Sequence, residues 1–259
     1  MRQSLQGISG ILHLLYPKRC PICDGVLRPQ TGTVFSTGAG QGQISATRYY
    51  PVCESCRKQI VYVEEPSCKQ CGKPLSESRQ ELCGDCARKN HAFIQAKALW
   101  VYKGAVKQSI YRLKYGNRRE YAISYAQEMA IRYGSWIRRR QPEAIVPIPL
   151  HRKRMRQRGY NQAELIAREL GRLLEIPVRP RLLVRCVNTR PQKELNDKER
   201  KNNLKKAFKI GENGVQLECV LLVDDIYTTG STMNGAAQTL KDAEIPRIYG
   251  INVSIGRGY

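Results

Sequence analysis

Two adjacent carboxylates, Asp224 and Asp225, stand directly after the apolar run Val220-Leu-Leu-Val223 and before Ile226-Tyr-Thr-Thr-Gly-Ser-Thr232. A continuous apolar run of this kind reads as a strand buried on both faces, so the acids emerge at its carboxyl end. The loop that follows is built from small hydroxyl residues and one glycine, and a helical pattern comes next. Backbone N–H groups of Thr229, Gly230, Ser231 and Thr232 can converge on a phosphate there, aided by the positive end of the helix dipole. Gly230 permits close approach because it carries no Cβ, and Thr228, Thr229 and Thr232 add hydroxyl donors. The acids would repel a phosphate, so their place is on the hydroxyls of an attached sugar, directly or through Mg²⁺. An ordinary strand-to-helix turn capped by Thr228 or Thr229 accounts for the hydroxyls. It leaves the paired acids unexplained.

A second chemistry belongs to cysteine. Eight of the ten cysteines form four Cys-x-x-Cys pairs: Cys20/Cys23, Cys53/Cys56, Cys68/Cys71 and Cys83/Cys86. Two such pairs supply the four thiolates of a tetrahedral Zn²⁺ site. Sequential pairing gives one site from the first two pairs and another from the last two; a cross-braced arrangement, first pair with third, is the alternative. A redox role would call for a thioredoxin-like setting, which four pairs in a turn-rich segment do not offer. Cys186 and Cys219 lack partners at ligand spacing and read as structural.

These residues need elements to position them. Residues 1–90 are turn-rich, and Thr31–Thr47, full of Gly, Ser, Thr and Gln, reads as a flexible insertion loop. No internal repeat is visible there beyond the cysteine pairs. From Ala98 the pattern alternates between strands and helices. Strands are expected at Ala98–Tyr102, Ala144–Pro149, Cys219–Val223 and Arg247–Ser254. Helices are expected around Val106, Ile110 and Leu113, then at Glu120–Ile137, Asn161–Leu174 and Ser231–Ala243. Arg185–Asn203 is polar and unpatterned, a long mobile loop. Such alternation implies an open α/β sheet with ligands at the strand carboxyl ends. The domain division expected is 1–90 and 91–259.

The chain has 259 residues with 44 Lys+Arg against 22 Asp+Glu, a net charge of +22. The excess is clustered: Lys97 to Tyr160 holds sixteen basic residues and three acids, Glu120, Glu128 and Glu143. That surplus favours phosphate-rich partners, nucleic acid above all. The run His151-Arg-Lys-Arg-Met-Arg-Gln-Arg158 can serve a pyrophosphate leaving group or a DNA backbone equally. Six tyrosines between Tyr102 and Tyr133 alternate with basic residues, a composition open to base stacking or to plain core packing. Lys114 and Tyr115 either reach the pocket or lie on the surface. No stretch approaches the roughly 18 apolar residues of a membrane span. Ile8–Tyr16 ends in Pro17-Lys18-Arg19 without a small-residue cleavage site, which argues against a signal peptide. A cytoplasmic protein is expected.

The acid pair and its loop resemble the signature of type I phosphoribosyltransferases. That resemblance implies a parallel α/β sheet of the phosphoribosyltransferase type, which in this chain follows the N-terminal cysteine-rich zinc module read from the cysteine pairs. It also implies that Asp224 and Asp225 hold the ribose of 5-phosphoribosyl 1-pyrophosphate (PRPP), with Mg²⁺ as a companion, and that Thr228, Thr229, Gly230, Ser231 and Thr232 hold the 5-phosphate. The flexible loop would supply Thr189, Gln192, Arg200 and Asn203, with Arg200 joining the two acids as a catalytic group. Further segments resemble the ComF/GntX family of competence-associated proteins. They are Leu15-Tyr-Pro-Lys-Arg-Cys-Pro-Ile-Cys23, Cys68-Lys-Gln-Cys-Gly-Lys-Pro74, Cys83-Gly-Asp-Cys86, Leu113-Lys-Tyr115, Val146-Pro-Ile-Pro149 and Arg158-Gly-Tyr-Asn-Gln162. The long Asp24–Val52 segment departs from the family's pattern. This second resemblance implies a place near the DNA-uptake machinery in natural transformation, handling single-stranded DNA beside a helicase-like partner. The alternative is an active transferase that moves phosphoribose from PRPP to an unidentified acceptor.

Overall fold

The computed structural model describes residues 17–27, 30–34, 44–48, 51–186, 207–211 and 216–256. The apolar patch Ile8–Tyr16 lies outside them. The segment expected to be a loose insertion instead contains an antiparallel pair, β1 (Gln30–Val34) and β2 (Ile44–Arg48), in register Gln30 with Arg48. The β-branched residues Thr31, Thr33, Val34, Ile44 and Thr47 suit a pleated pair, and the Gly/Ser composition around them hides that preference.

Each cysteine set repeats one local plan that the sequence does not advertise. The first pair sits in a tight knuckle, where Cys20 N–H bonds Gly25 O (2.8 Å) and Asp24 N–H bonds Cys20 O (2.9 Å). In the second set, Cys68 N–H bonds Lys73 O (2.7 Å) and Gly72 N–H bonds Cys68 O (2.9 Å). The residue four after the first cysteine is left-handed in both, Asp24 (φ 65°) and Gly72 (φ 78°). The partner pair opens a short helix, α1 (Glu54–Gln59) after Cys53 and α2 (Gly84–Arg88) after Cys83.

The larger part follows as β3 (Gln95–Val101), α3 (Gly104–Tyr115), α4 (Tyr121–Arg140), β4 (Ala144–Pro147), α5 (Arg152–Arg158) and α6 (Gln162–Leu174). Then come β5 (Leu183–Arg185), β6 (Phe208–Ile210), β7 (Cys219–Tyr227), α7 (Ser231–Asp242) and β8 (Arg247–Ile255). Four strands form a parallel sheet in the order β3-β8-β7-β4, and β5 pairs antiparallel with β6. The fold is thus mixed α/β with a parallel sheet and an N-terminal cysteine-rich region. β7 runs past its expected end at Val223 because Asp224, Ile226 and Tyr227 still pair with Asn252, Ser254 and Ile255 of β8. The basic run at 152–158, to which the sequence assigns no element, is helix α5. Of the loop expected at Arg185–Asn203, Arg185 closes β5. Residues 187–206, with Thr189, Gln192, Arg200 and Asn203, lie outside the described residues.

Both faces of the sheet are covered, which explains the unbroken apolar run in β7. Leu221 and Val223 face a core shared with α3, α4 and α6, with Trp100, Tyr121 and Tyr125 at its centre. Val220 and Leu222 face the other way, toward Met233, Ala237 and Leu240 of α7. This is the two-residue period of a strand. The cysteine sets divide between the faces: Cys20 and Cys56 join the first core, and Cys68, Cys71, Cys83 and Cys86 the second. The sheet edges are closed. Residues 61–63 run beside β3, with Val63 N–H on Leu99 O (3.0 Å) and Val101 N–H on Val61 O (2.8 Å). Pro177–Arg179 covers β4, with Ile145 N–H on Pro177 O (2.8 Å). Unpaired edges invite association with other chains, and these are capped.

The first knuckle docks through Asp24, whose carboxylate accepts from Arg118 Nη2 (2.6 Å) and Tyr121 Oη (2.6 Å). Ser109 Oγ donates to Pro21 O and Arg112 to Ile22 O. Asp24→Ala strands a buried tyrosine hydroxyl and should cost about 1–3 kcal/mol in urea denaturation. Asp24→Asn, which still accepts from Tyr121, should cost less.

Candidate functional site

Beyond Val223 the strand's alternation continues, so the two acids meet different surroundings. Asp225 turns inward and is 4% exposed. Its Oδ2 accepts from Lys114 Nζ of α3 (2.8 Å) and from Gln162 Nε2 of α6 (2.8 Å). Asp224 is part-exposed, and its Oδ1 accepts from Asp225 N–H (2.8 Å). Burial first, and then the negative charge of Asp225, push the Asp224 carboxyl up from the ordinary 3.8 to about 7, while Lys114 and Arg185 pull the other way.

The loop closes the strand's end. Gly230 is left-handed (φ 76°), and a Cβ there would run into the Tyr227 phenol, so no other residue fits without moving that ring. Gly230 also occupies the N-cap of α7, which receives no side-chain cap and has no acid in its first turn. Most helices satisfy their first N–H groups with a Ser, Thr, Asp or Asn cap. In this helix no side chain takes that role. Thr229 Oγ1 and Ser231 Oγ lie 2.8 Å apart beside it.

A cavity of about 810 Å³ opens over these groups. Its wall includes Asp224, Asp225, Thr228, Thr229 and Thr232; Gly230 and Ser231 shape the loop without lining the space. Lys114, Arg154, Arg158 and Arg185 line the cavity as well. The arrangement can hold a sugar phosphate: amides and hydroxyls for the phosphate, a carboxylate for sugar hydroxyls, and arginines on the wall for further phosphates. Lys114 belongs to the pocket rather than to the open surface, and Gln162 joins it, which the sequence alone does not foretell. The segments Leu113-Lys-Tyr115 and Arg158-Gly-Tyr-Asn-Gln162 hold the only signal for them. Arg200 falls outside the described residues.

The eight paired cysteines form two clusters, Cys20/Cys23/Cys53/Cys56 and Cys68/Cys71/Cys83/Cys86, each with its sulfurs within 4.8 Å of one another. The sequential arrangement holds, and the cross-braced one does not. Cys23 and Cys53 Sγ are 3.8 Å apart and Cys71 and Cys83 Sγ 3.6 Å. Tetrahedral zinc with bonds of about 2.3 Å needs edges of about 3.8 Å, so the donors fit that ion. In the second cluster all four cysteines are buried, and Lys73 Nζ ties knuckle to helix through Asp85 Oδ2 (2.6 Å). In the first, Cys23 is exposed and Cys53 partly so. Cys219 is buried and donates to Arg140 O (3.3 Å); it joins neither cluster, and neither does the exposed Cys186.

Both clusters brace the cavity. The first holds α3, which carries Lys114 and Tyr115, through the Ser109 and Arg112 bonds. The second leads through Phe93, edge-on to Tyr227 at 6.4 Å, and Ala92, whose N–H bonds Asn234 Oδ1 of α7 (2.6 Å).

Comparison with known proteins agrees with this architecture. Residues 42–87 match the double zinc ribbon domain; the geometry adds Cys20 and Cys23, upstream of that match, to the first site. Competence protein F of Haemophilus influenzae is 33% identical over 202 residues, covering 76% of this chain and 87% of that protein. DNA utilization protein YhgH of Escherichia coli K12 is 30% identical over 198 residues, 75% of this chain and 86% of its own length. Competence protein ComFC of Bacillus subtilis is 29% identical over 199 residues, 73% and 77%.

Two outcomes follow from the site's geometry. Between 3.8 and about 7 the folded chain holds an Asp224 proton that the unfolded chain has lost, so this group's contribution to stability falls as pH rises through that window. Asp224→Asn should therefore raise the thermal midpoint above pH 7 and leave it unchanged below pH 4, read from melts across that range. A colorimetric zinc-release assay should count two ions per chain in two phases. Cys23→Ser should abolish the faster phase, because the first site is the accessible one.

Proposed function

The chain belongs to the ComF/GntX family of competence-associated proteins, and from that membership we propose that it is a DNA-uptake factor that binds PRPP and single-stranded DNA. Zinc stabilises the segment that frames the site.

One observation carries the PRPP reading: a helix N-terminus capped by glycine, free of side-chain caps and acids, opens on a cavity whose wall includes a carboxylate. The first amides of α7 and the hydroxyls of Thr228, Thr229 and Thr232 would receive the 5-phosphate. Asp224, the more accessible acid, would accept from the ribose hydroxyls and meet the Mg²⁺ that accompanies pyrophosphate. Asp225, already engaged by Lys114 and Gln162, would position rather than bind. Arg154 and Arg158 would offset the pyrophosphate charge.

The DNA reading is supported by relatives named for competence and DNA utilization and by the charge map. Helix α5 carries Arg152, Lys153, Arg154, Arg156 and Arg158 and buries none of its residues. A helix this basic and this exposed suits a phosphate backbone. No helix among the described residues is long and apolar enough to cross a membrane; the reading includes a helicase-like partner in the uptake machinery.

A second reading, transfer of phosphoribose to an acceptor, draws on the cavity's reach beyond the acids to Tyr102, Tyr115 and Tyr160, space enough for an acceptor beside the sugar. Release of pyrophosphate from PRPP by a screened acceptor would establish it; no release with nucleobases, amines or DNA ends would set it aside.

Calorimetric titration with PRPP and Mg²⁺ should give one site per chain, weakened tenfold or more by Gly230→Ala. Undiminished affinity in that variant would contradict the phosphate cradle. Replacing the five basic residues of α5 by Gln should weaken oligonucleotide binding and reduce its salt slope by about 0.7 for each phosphate no longer neutralised.

A further inference from the structure

The structure sorts the six tyrosines between 102 and 133 into two kinds. Tyr121, Tyr125 and Tyr133 are buried core, and Tyr102 lies partly buried against the cavity. Tyr111 and Tyr115 are 64% and 61% exposed, one turn apart on α3, away from the Val106–Ile110–Leu113 face. Their rings stand 4.9 Å apart at 47°, and the Arg158 guanidinium lies over Tyr115 at 5.2 Å. Two large rings held in water beside a stacked arginine do nothing for the core.

We propose that Tyr111, Tyr115 and Arg158 form a stacking ledge that holds the bases of a single DNA strand at the mouth of the sugar-phosphate cavity. The ledge adjoins that cavity directly: Tyr115 and Arg158 line it. Arg158 Nη1 also donates to Gln162 Oε1, and Gln162 in turn holds Asp225. The surroundings fit a polyanion. Residues 104–119 carry Lys107, Arg112 and Arg119 besides Lys114 and Arg118, which pair with Asp225 and Asp24, and neighbouring α5 carries five more cations without an acid. Aromatic faces take any base but need it unstacked, so the occupant is a single strand and not a duplex. Arginine over the Tyr115 ring adds a cation–π contact and a phosphate donor in one group. A protein partner would want an apolar collar around the rings; these are ringed by charge. The inference rests on the DNA-binding reading above and deepens it, because a base on Tyr115 lies next to whatever occupies the acid pocket.

The test is fluorescence anisotropy with a labelled (dT)20 and with a blunt duplex of equal length. It compares the parent chain with Tyr111→Ala/Tyr115→Ala and Tyr111→Phe/Tyr115→Phe, each checked by thermal melting. The alanine pair should keep the parent midpoint, since neither ring is buried. It should bind the single strand about tenfold to a hundredfold more weakly, at an unchanged salt slope. The phenylalanine pair should bind within about twofold of the parent, and the duplex should bind the parent more weakly than the strand. Alanine binding within twofold of the parent, equal losses for strand and duplex, or failure of the phenylalanine pair would overturn the ledge alone. No binding of (dT)20 by the parent would overturn the DNA reading and the ledge together, while calorimetry with PRPP would still judge the pocket.

Discussion

A carboxylate with little access to water must be met by donors, and at Asp225 that requirement assembles the site. Its side chain is 6% exposed and that of Lys114 18%. Removing one partner of such a pair costs roughly 3–5 kcal/mol, because the other charge is left uncompensated. The donors come from two helices, Lys114 from α3 and Gln162 from α6. The acid at the end of β7 therefore fixes where both helices stand around the cavity. It also leaves Asp224, its neighbour on the alternating strand, to line the cavity. Two adjacent acids thus have unlike surroundings: one is held by two helices, and in the proposed reading the other would meet the ligand.

The cysteine clusters extend the same constraint outward. Knuckles and single helical turns bury too little apolar surface to fold alone, and a metal supplies the missing free energy. The first cluster holds α3 through backbone carbonyls of Pro21 and Ile22 and so sets the height of Lys114 above Asp225. The second leans on Tyr227, the residue that also forces glycine at position 230. Each cluster thereby supports one wall of the cavity, which is a reason for a basic α/β chain to keep eight thiolates beside its sheet.

Local pattern made much of this legible in the sequence. The apolar stripe of α6, the buried run of β7, the acid pair and the hydroxyl loop are all short-range signals; α6 emerged close to its observed bounds, while β7 runs on through the acids to Tyr227. What stayed hidden was long-range or compositional. Nothing local says that Lys114 reaches across 111 positions to Asp225, or which tyrosines of a mixed run are buried. The β1–β2 pair was masked by a Gly/Ser background. The repeat of the two cysteine modules was masked because one left-handed position is aspartate and the other glycine. Helix α5 escaped because seven largely charged residues without an apolar stripe give no helical period to read.

The central claim is that the Gly230 loop and Asp224 together grip a sugar phosphate. The most direct measurement is a crystal structure of the zinc-loaded chain grown with PRPP and Mg²⁺. Density for the 5-phosphate should lie on the first amides of α7, with the ribose hydroxyls on Asp224 and the Lys114–Asp225 pair intact. A ligand seated elsewhere, or an empty loop at saturating PRPP with Asp224 turned from the cavity, would contradict the account.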